Sequence, residues 1–315
     1  MNAAPTGTPN KERPTRRAPE SMARRMARRF LRHRMAVASL CLILIFAIAS
    51  FAAPLVEYAL GVDAEKANLF TRFAPPSLTN LLGTDELGRD LLVRLLYGGR
   101  VSLIVALAAA AIAAFAGAAI GLLAGYHGGW LDSILMRLTD GVIALPLLPL
   151  LIVLAAVDLN KLGLPVAVAE SENISLYRIV FIISLVGWTT VARLVRAETL
   201  SLKQREFVRA AVAQGAGAGR IMRVHILPNA VSPIIVATTL SIGNVILFES
   251  VLSFLGLGVQ PPVASWGNML TNAQELIWSA PALAVWPGML IFATVIAFNF
   301  LGDGLQDALD PRAVD

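Results

Sequence analysis

The stretch RAAVAQGAGAGRIMRVHILPN, Arg209 to Asn229, lies between two long hydrophobic runs. A tight turn would be enough to join two membrane spans. Here a basic, glycine-broken loop over positions 198–229 joins them instead. Around it the chain has 315 residues, 57% of them apolar and only 15% charged, which is too apolar for an ordinary soluble protein. Six stretches approach the ~20 apolar residues that a bilayer core requires of a helix. They run from about Met35 to Val56, Val101 to Gly125, Leu138 to Val157, Leu176 to Ala192, Val231 to Phe254 and Leu283 to Leu301. The runs are continuous, whereas a membrane barrel has shorter segments of alternating polarity. The expected fold is an all-α integral membrane protein with six transmembrane helices.

Charge sets the expected orientation. The first 34 residues carry Lys11, Arg13, Arg16, Arg17, Arg24, Arg25, Arg28, Arg29, Arg32 and Arg34 against Glu12 and Glu20. The positive-inside rule keeps this end in the cytoplasm, and six crossings return the C terminus there. Arg193, Arg196, Lys203, Arg205, Arg209, Arg220 and Arg223 place the loop between the fourth and fifth spans on the same side, while the loop at Asp158 to Glu172 is acidic. Met22, Met26 and Phe30 recur every four residues between arginine pairs, the pattern of an amphipathic helix on the inner membrane surface. Its partner is anionic membrane lipid and not nucleic acid, because the arginines lie beside spans and have no interleaved aromatics. Residues before Ser21 read as disordered. The expected division is a basic cytoplasmic tail 1–34, a first helix 35–56, an extracytoplasmic segment 57–97, a five-helix core 98–302 and a cytoplasmic tail 303–315.

Within the opening stretch, Lys203 to Ala213 reads as one short helix capped by Ser201, with Phe207, Ala210 and Ala211 on one face. Gly215 can take the left-handed conformation that ends it. Arg220 to His225 reads as a second short helix stopped before Pro228, which opens the fifth span. Helices this short are not stable alone in water, so the loop calls for a partner's groove.

Arg209-Ala210-Ala211, three further residues, Gly215 and then Leu227-Pro228 resemble the "EAA" signature of bacterial ABC-importer permeases, with Arg209 in place of the signature's glutamate and His225 in place of its isoleucine. LLGTDELGRDLLVRLLYGGRVSL, SFLGLGVQPPVASWGNML and GDGLQDALDP resemble blocks of the dipeptide/oligopeptide/nickel group, in its C-type subunit. The resemblance implies a type I ABC importer permease fold in a bacterial inner membrane. The implied partners are a second homologous permease subunit, two ATP-binding subunits that hold ATP and Mg, and an extracytoplasmic substrate-binding protein. It also implies contacts to the ATP-binding subunits through Glu206, Phe207, Arg209, Ala210, Ala211, Gly215, Arg220, His225 and Pro228. The cargo stays open among dipeptide, longer peptide, nickel complex and other small solutes.

The residues supply no chemistry of their own. None of Lys11, Lys66, Lys161 and Lys203 has the Gly-Lys-Ser/Thr context of a P-loop, so ATP hydrolysis must reside in other chains. His33, His127 and His225 are scattered and Cys41 is alone, so no metal site or cofactor is expected and the chain is not an enzyme. An autonomous secondary transporter or channel would place paired carboxylates near mid-membrane, where this chain has almost no ionisable groups. Pro146 and Pro149 should kink the third span and could shape a path or gate. Glu249 is expected near the outer surface, at a wetted interface or a substrate contact, and Asp140 at the inner start of the third span. Gly117, Gly121 and Gly125 form a small face for close helix packing. Asp85, Glu86, Arg89 and Asp90 lie at helical spacing and suit contact with a binding protein. Trp266, Trp278 and Trp286 fit an outer interfacial belt, and re-entry of 256–282 into the membrane is left open.

Overall fold

A computed structural model describes residues 22–157 and 174–309. The stretch before Ser21 and the acidic loop 158–172 lie outside the described residues. The described regular structure is helical, with one isolated antiparallel bridge between Thr84 and Asp90. In chain order the helices are α1 (Met22–Arg32), α2 (Arg34–Phe51), α3 (Ala53–Leu60), α4 (Leu91–His127), α5 (Gly129–Ala144), α6 (Leu147–Ala155), α7 (Ile174–Lys203), α8 (Glu206–Ala213), α9 (Leu227–Phe254) and α10 (Ala282–Leu309). Among the described residues, α2, α4, α7, α9 with the turns leading into it, and α10 are long and apolar enough to cross a membrane. The α5–α6 pair makes a sixth crossing if taken together.

The tightest packing in the bundle is between α4 and α7. A Cβ on Gly117 would stand 2.5 Å from the Trp188 carbonyl oxygen, one on Gly121 2.5 Å from that of Ala192, and one on Gly125 2.7 Å from Thr199 Cβ. The expected small face is therefore a backbone-to-backbone seam. Lipid tails are as apolar as leucine, so such a contact is held by dispersion across a close fit. The main core continues outward from this seam through Ala106, Ile179, Ile183, Ile246 and Leu252.

The third span departs from the single kinked helix expected. α5 and α6 meet at 88° across Leu145-Pro146. Leu145 is extended (φ −80°, ψ 139°), because the proline ring excludes the helical conformation from the residue before it. Pro149 falls in the first turn of α6, where no helical partner for its N–H is needed, so Pro146 alone makes the break. Asp140 is near the end of α5, not at a helix start, and the first-turn acid is Asp132. Both clamp α5 to α7: Arg193 Nη2 donates to Asp140 at 2.6 Å, and Arg196 grips Asp132 through two bonds of 2.5 and 2.6 Å.

Trp266 does not join an interfacial belt. It is 1% exposed, donates from Nε1 to the Leu95 carbonyl at 2.9 Å, and meets Phe46 edge-on. The chain after α9 folds back onto α2, α4 and α9 and takes the indole inside, which leaves Trp278 and Trp286 at the surface. α10 runs past position 302 to Leu309, and its last turns pack against α1 and α2, with Asp307 3.7 Å from His33.

Replacing Gly121 with Val should overpack the α4–α7 seam and cost about 1–3 kcal/mol. Gly141→Ala, where an added Cβ meets nothing within 4 Å, serves as the control. Thermal aggregation in detergent should separate the two variants, and equal midpoints would show that the seam is not under tight steric constraint.

Candidate functional site

The opening loop folds into a small unit with its own core. Val208 on α8, Ile221 and Ile226 are each no more than 1% exposed, and pack with Leu122 and Tyr126 of α4, Leu202 of α7, and Ala216. The loop thus sits on the ends of α4 and α7. Ser201 does not cap the short helix as expected, because α7 runs on to Lys203 with its last turn pinned to α4. Lys203 Nζ donates to the Tyr126 carbonyl at 2.6 Å and lies 5.3 Å from the centre of that ring. α8 accordingly starts later, with Arg205 in cap geometry and no side-chain capping bond. Glu206 in its first turn places negative charge at the helix's positive end.

The end of α8 is a Schellman motif. Gly215 has φ +83°, its N–H donates to the Val212 carbonyl at 2.9 Å, and the Ala216 N–H donates to that of Ala211 at 3.1 Å. A residue with a Cβ resists that conformation, which accounts for the glycine. The separate second helix is not formed. From Ala218 the chain runs through one π-helical turn, Ile221–Ile226, straight into α9. Pro228 in the first turn of α9 has no N–H to give Val224, and the Leu227 N–H reaches five residues back to Met222.

The faces of α8 differ from the grouping expected. Val208 and Ala211 point into the loop core, while Phe207, Ala210 and Gln214 face outward. Ala211 is therefore spent on the chain's own packing and is not free to fill a partner's groove. Phe207, 45% exposed, borders a surface groove with Leu202, Gln204, Arg205, Glu206 and Asn229. Arg209 and Arg220 are exposed but do not line it. His225 is partly buried, and its carbonyl accepts from Asn229 Nδ2 at 2.7 Å.

At the other end of the bundle, Glu249 is fully buried and not wetted, so it is neither an interface nor a path residue in this structure. One carboxylate oxygen accepts from Ser102 Oγ of α4 at 3.0 Å and the other from Ser253 Oγ at 2.8 Å. Those hydroxyls in turn accept from the N–H groups of Trp266 (3.2 Å) and Val259 (3.0 Å). The carboxylate thereby ties the folded-back segment to α4 and α9 at two points. Helical rise puts Glu249 toward the far end of α9 but could not show that the chain beyond would cover it.

The charged group before α4 is also not helical. The Asp85 carboxylate accepts from the N–H groups of Leu87 and Arg89, both at 2.9 Å, and from Arg89 Nε at 2.8 Å, with Arg94 Nε at 3.4 Å. A side chain that takes nearby amides in this way competes with the helix ladder. Asp90 caps α4 through the Val93 N–H at 2.8 Å and holds Asn80. Asp85 and Asp90 are buried in these roles, whereas Glu86 and Arg89 keep exposed surface.

Two clefts meet along α7 and α9. One lies between α5–α6, α7 and α9 and includes Leu145 and Leu147, on either side of Pro146; the other lies between α7, α9 and α10. Gly187, Thr190, Ser241 and Asn244 line both, and among the described residues no charged side chain lines either. Pro146 and Pro149 themselves line neither. The sequence reading passed over Thr190 and Asn244; the available signal was an amide in the middle of the apolar run SIGNVILFES.

Residues 117–315 match the family model described as binding-protein-dependent transport system inner membrane component, and residues 21–76 match the N-terminal TM domain of oligopeptide transport permease C. The chain is 41% identical over 287 residues to the glutathione transport system permease protein of Pectobacterium atrosepticum (90% of this chain, 89% of that one). It is 37% identical over 281 residues to the dipeptide transport system permease protein of Alkalihalophilus pseudofirmus (89% and 87%). It is 40% identical over 286 residues to the oligopeptide transport system permease protein of Escherichia coli (90% and 89%).

Gly215→Val should destabilise the closed loop by about 1–2 kcal/mol through backbone chirality, and Gly215→Asn by less. Tryptic cleavage at Arg209, Arg220 and Arg223 in detergent should rise by roughly 5- to 30-fold for the valine variant. Unchanged cleavage would mean that the left-handed turn does not hold the loop shut.

Proposed function

Because the chain belongs to the family of binding-protein-dependent transport system inner membrane components, we propose that it forms, with a second permease, the path by which peptides cross the membrane. As an inner-membrane permease subunit of an ABC importer it performs no chemical step on its cargo. In our reading two separate ATP-binding subunits, which hold ATP and Mg, drive the cycle, and an extracytoplasmic binding protein delivers the solute. The peptide assignment follows the relatives, whose names specify dipeptide, oligopeptide and glutathione transport. An autonomous transporter has no observation in its favour.

The observation that carries the coupling role is α8, a short helix held from behind by Val208 and Ala211 with Phe207 and Ala210 facing out. It offers an apolar face that its own chain leaves uncovered, flanked by Glu206, Arg209 and Arg220. An ATP-binding subunit that grips this face would displace the loop core as one body, and Leu202 and Ile226 would pass the motion to α7 and α9. Movement of those two helices reshapes the clefts along Thr190 and Asn244. The spans would then rock to alternate access. Glu86 is the member of the charged turn left free for the binding protein, since Arg89 is held by Asp85. The arginine excess around α8 and in the N-terminal tail supports placing both termini and the loop in the cytoplasm.

Phe207→Asp should abolish co-purification of the ATP-binding subunits, because a carboxylate would be buried in their apolar groove without a partner. The second permease should still co-purify. Retention of the ATP-binding subunits at the parental level would remove α8 as the docking element. For the orientation, single cysteines are placed at exposed Ser201 and Leu78 in a Cys41→Ser background. An impermeant maleimide added outside should label position 78 and spare position 201. The reverse pattern would put α8 on the wrong side for any cytoplasmic ATPase.

A further inference from the structure

We propose that Thr190 of α7 and Asn244 of α9 form a neutral hydrogen-bonding waist in the path, one that reads the peptide backbone and ignores side-chain charge. This rests on the reading of the chain as half of a peptide path. Asn244 is near the middle of the apolar helix α9, where a primary amide with nothing to bond is costly. Several other hydroxyls in the spans find acceptors at home: those of Thr238, Thr239, Ser241 and Thr294 bond to backbone carbonyls at 2.7–2.8 Å. Among the described residues neither the Asn244 amide nor the Thr190 hydroxyl has a hydrogen-bond partner, and both side chains are exposed where the two clefts meet. Within the spans such groups are retained where they meet water or a polar partner.

The chemistry of the lining narrows what that partner is. An asparagine amide carries two donors and an acceptor, and the threonine hydroxyl adds one of each, which complements the N–H and C=O of a peptide unit. The side-chain charges of a passing peptide meet no opposing charge here, because the shared lining is Gly187, Thr190, Ser241 and Asn244. Every peptide offers the same backbone groups whatever its sequence. A waist of this composition therefore passes cationic and anionic peptides alike and leaves discrimination to the protein that delivers them.

The test uses the complete transporter in proteoliposomes with saturating binding protein and two probes, the tripeptides Ala-Lys-Ala and Ala-Glu-Ala. The parent should move both at comparable rates. Asn244→Asp should raise the Lys-to-Glu transport ratio by about tenfold or more, since a carboxylate in a partly dry path attracts one probe and repels the other. Asn244→Leu should slow both equally. An unchanged ratio in the aspartate variant would overturn the proposal. Loss of the second permease from either variant would also overturn it, by showing that the amide pairs with that subunit. A separate measurement needs no solute. In a Cys41→Ser background, cysteines at positions 190 and 244 should react in water, as thiolates, with a cationic methanethiosulfonate, while one at fully buried Ile246 should not. An inert position 244 would overturn the waist directly. If the parent moved neither tripeptide, the peptide reading would fail and the backbone-reading role with it, whereas the labelling would still decide whether position 244 is wet.

Discussion

The architecture hangs on the seam where α4 and α7 touch through Gly117, Gly121 and Gly125. Inside a bilayer no hydrophobic force pulls helices together, so two spans keep a fixed relation only if their surfaces fit closely over some length. Here the fit covers three glycines at two successive four-residue steps and brings the carbonyls of Trp188 and Ala192 against the facing backbone. Both the α8 loop and the folded-back segment are mounted on the two helices so joined. At one end Leu122 and Tyr126 of α4 and Leu202 of α7 carry the core of the α8 loop. At the other, Ser102 and Leu95 of α4 anchor the folded-back segment through Glu249 and Trp266. A shift along the seam would move both ends at once.

Two polar residues on α9 show how burial divides structural from functional roles. Glu249 is the more expensive group, yet its carboxylate is fully supplied by serine hydroxyls and holds a segment in place. Asn244, little more than one turn earlier, is cheaper and unsupplied. The side chain whose needs are met within the chain has a structural role; the one left wanting points to something outside the chain.

Much of this was legible in the sequence. Continuous apolar runs located the spans, the four-residue glycine spacing identified the seam, and Gly215 marked the turn that ends α8, because each follows from local geometry or period alone. The family resemblance, carried by the loop and three further blocks, agrees with the relatives found. What escaped depended on contacts between distant parts of the chain. Ala211 could not be told from Ala210 until the core of Val208, Ile221 and Ile226 fixed which face of α8 turns inward. Trp266 read as an interfacial anchor because nothing local says that the chain doubles back. The charged turn before α4 matched a helical spacing, but backbone amides reached the Asp85 carboxylate first. Pro146 and Pro149 looked equivalent, and only one stands where the preceding residue must leave the helix.

The two arginine clamps on α7 govern how many parts of this subunit can move independently. α5 buries little besides Thr139 and is bent sharply away from α6, so by packing alone it would be a loose arm. Arg193 and Arg196 are one turn apart on α7 and hold α5 at two points eight residues apart, Asp140 and Asp132. Two attachment points on a rigid rod remove the rotation that a single one would allow. α5 is therefore carried by α7 as cargo, and its swing is slaved to the helix that ends at the α8 loop. Among the described residues that arm breaks at Leu145-Pro146, so a movement of α7 would be delivered there, at the lip of the cleft.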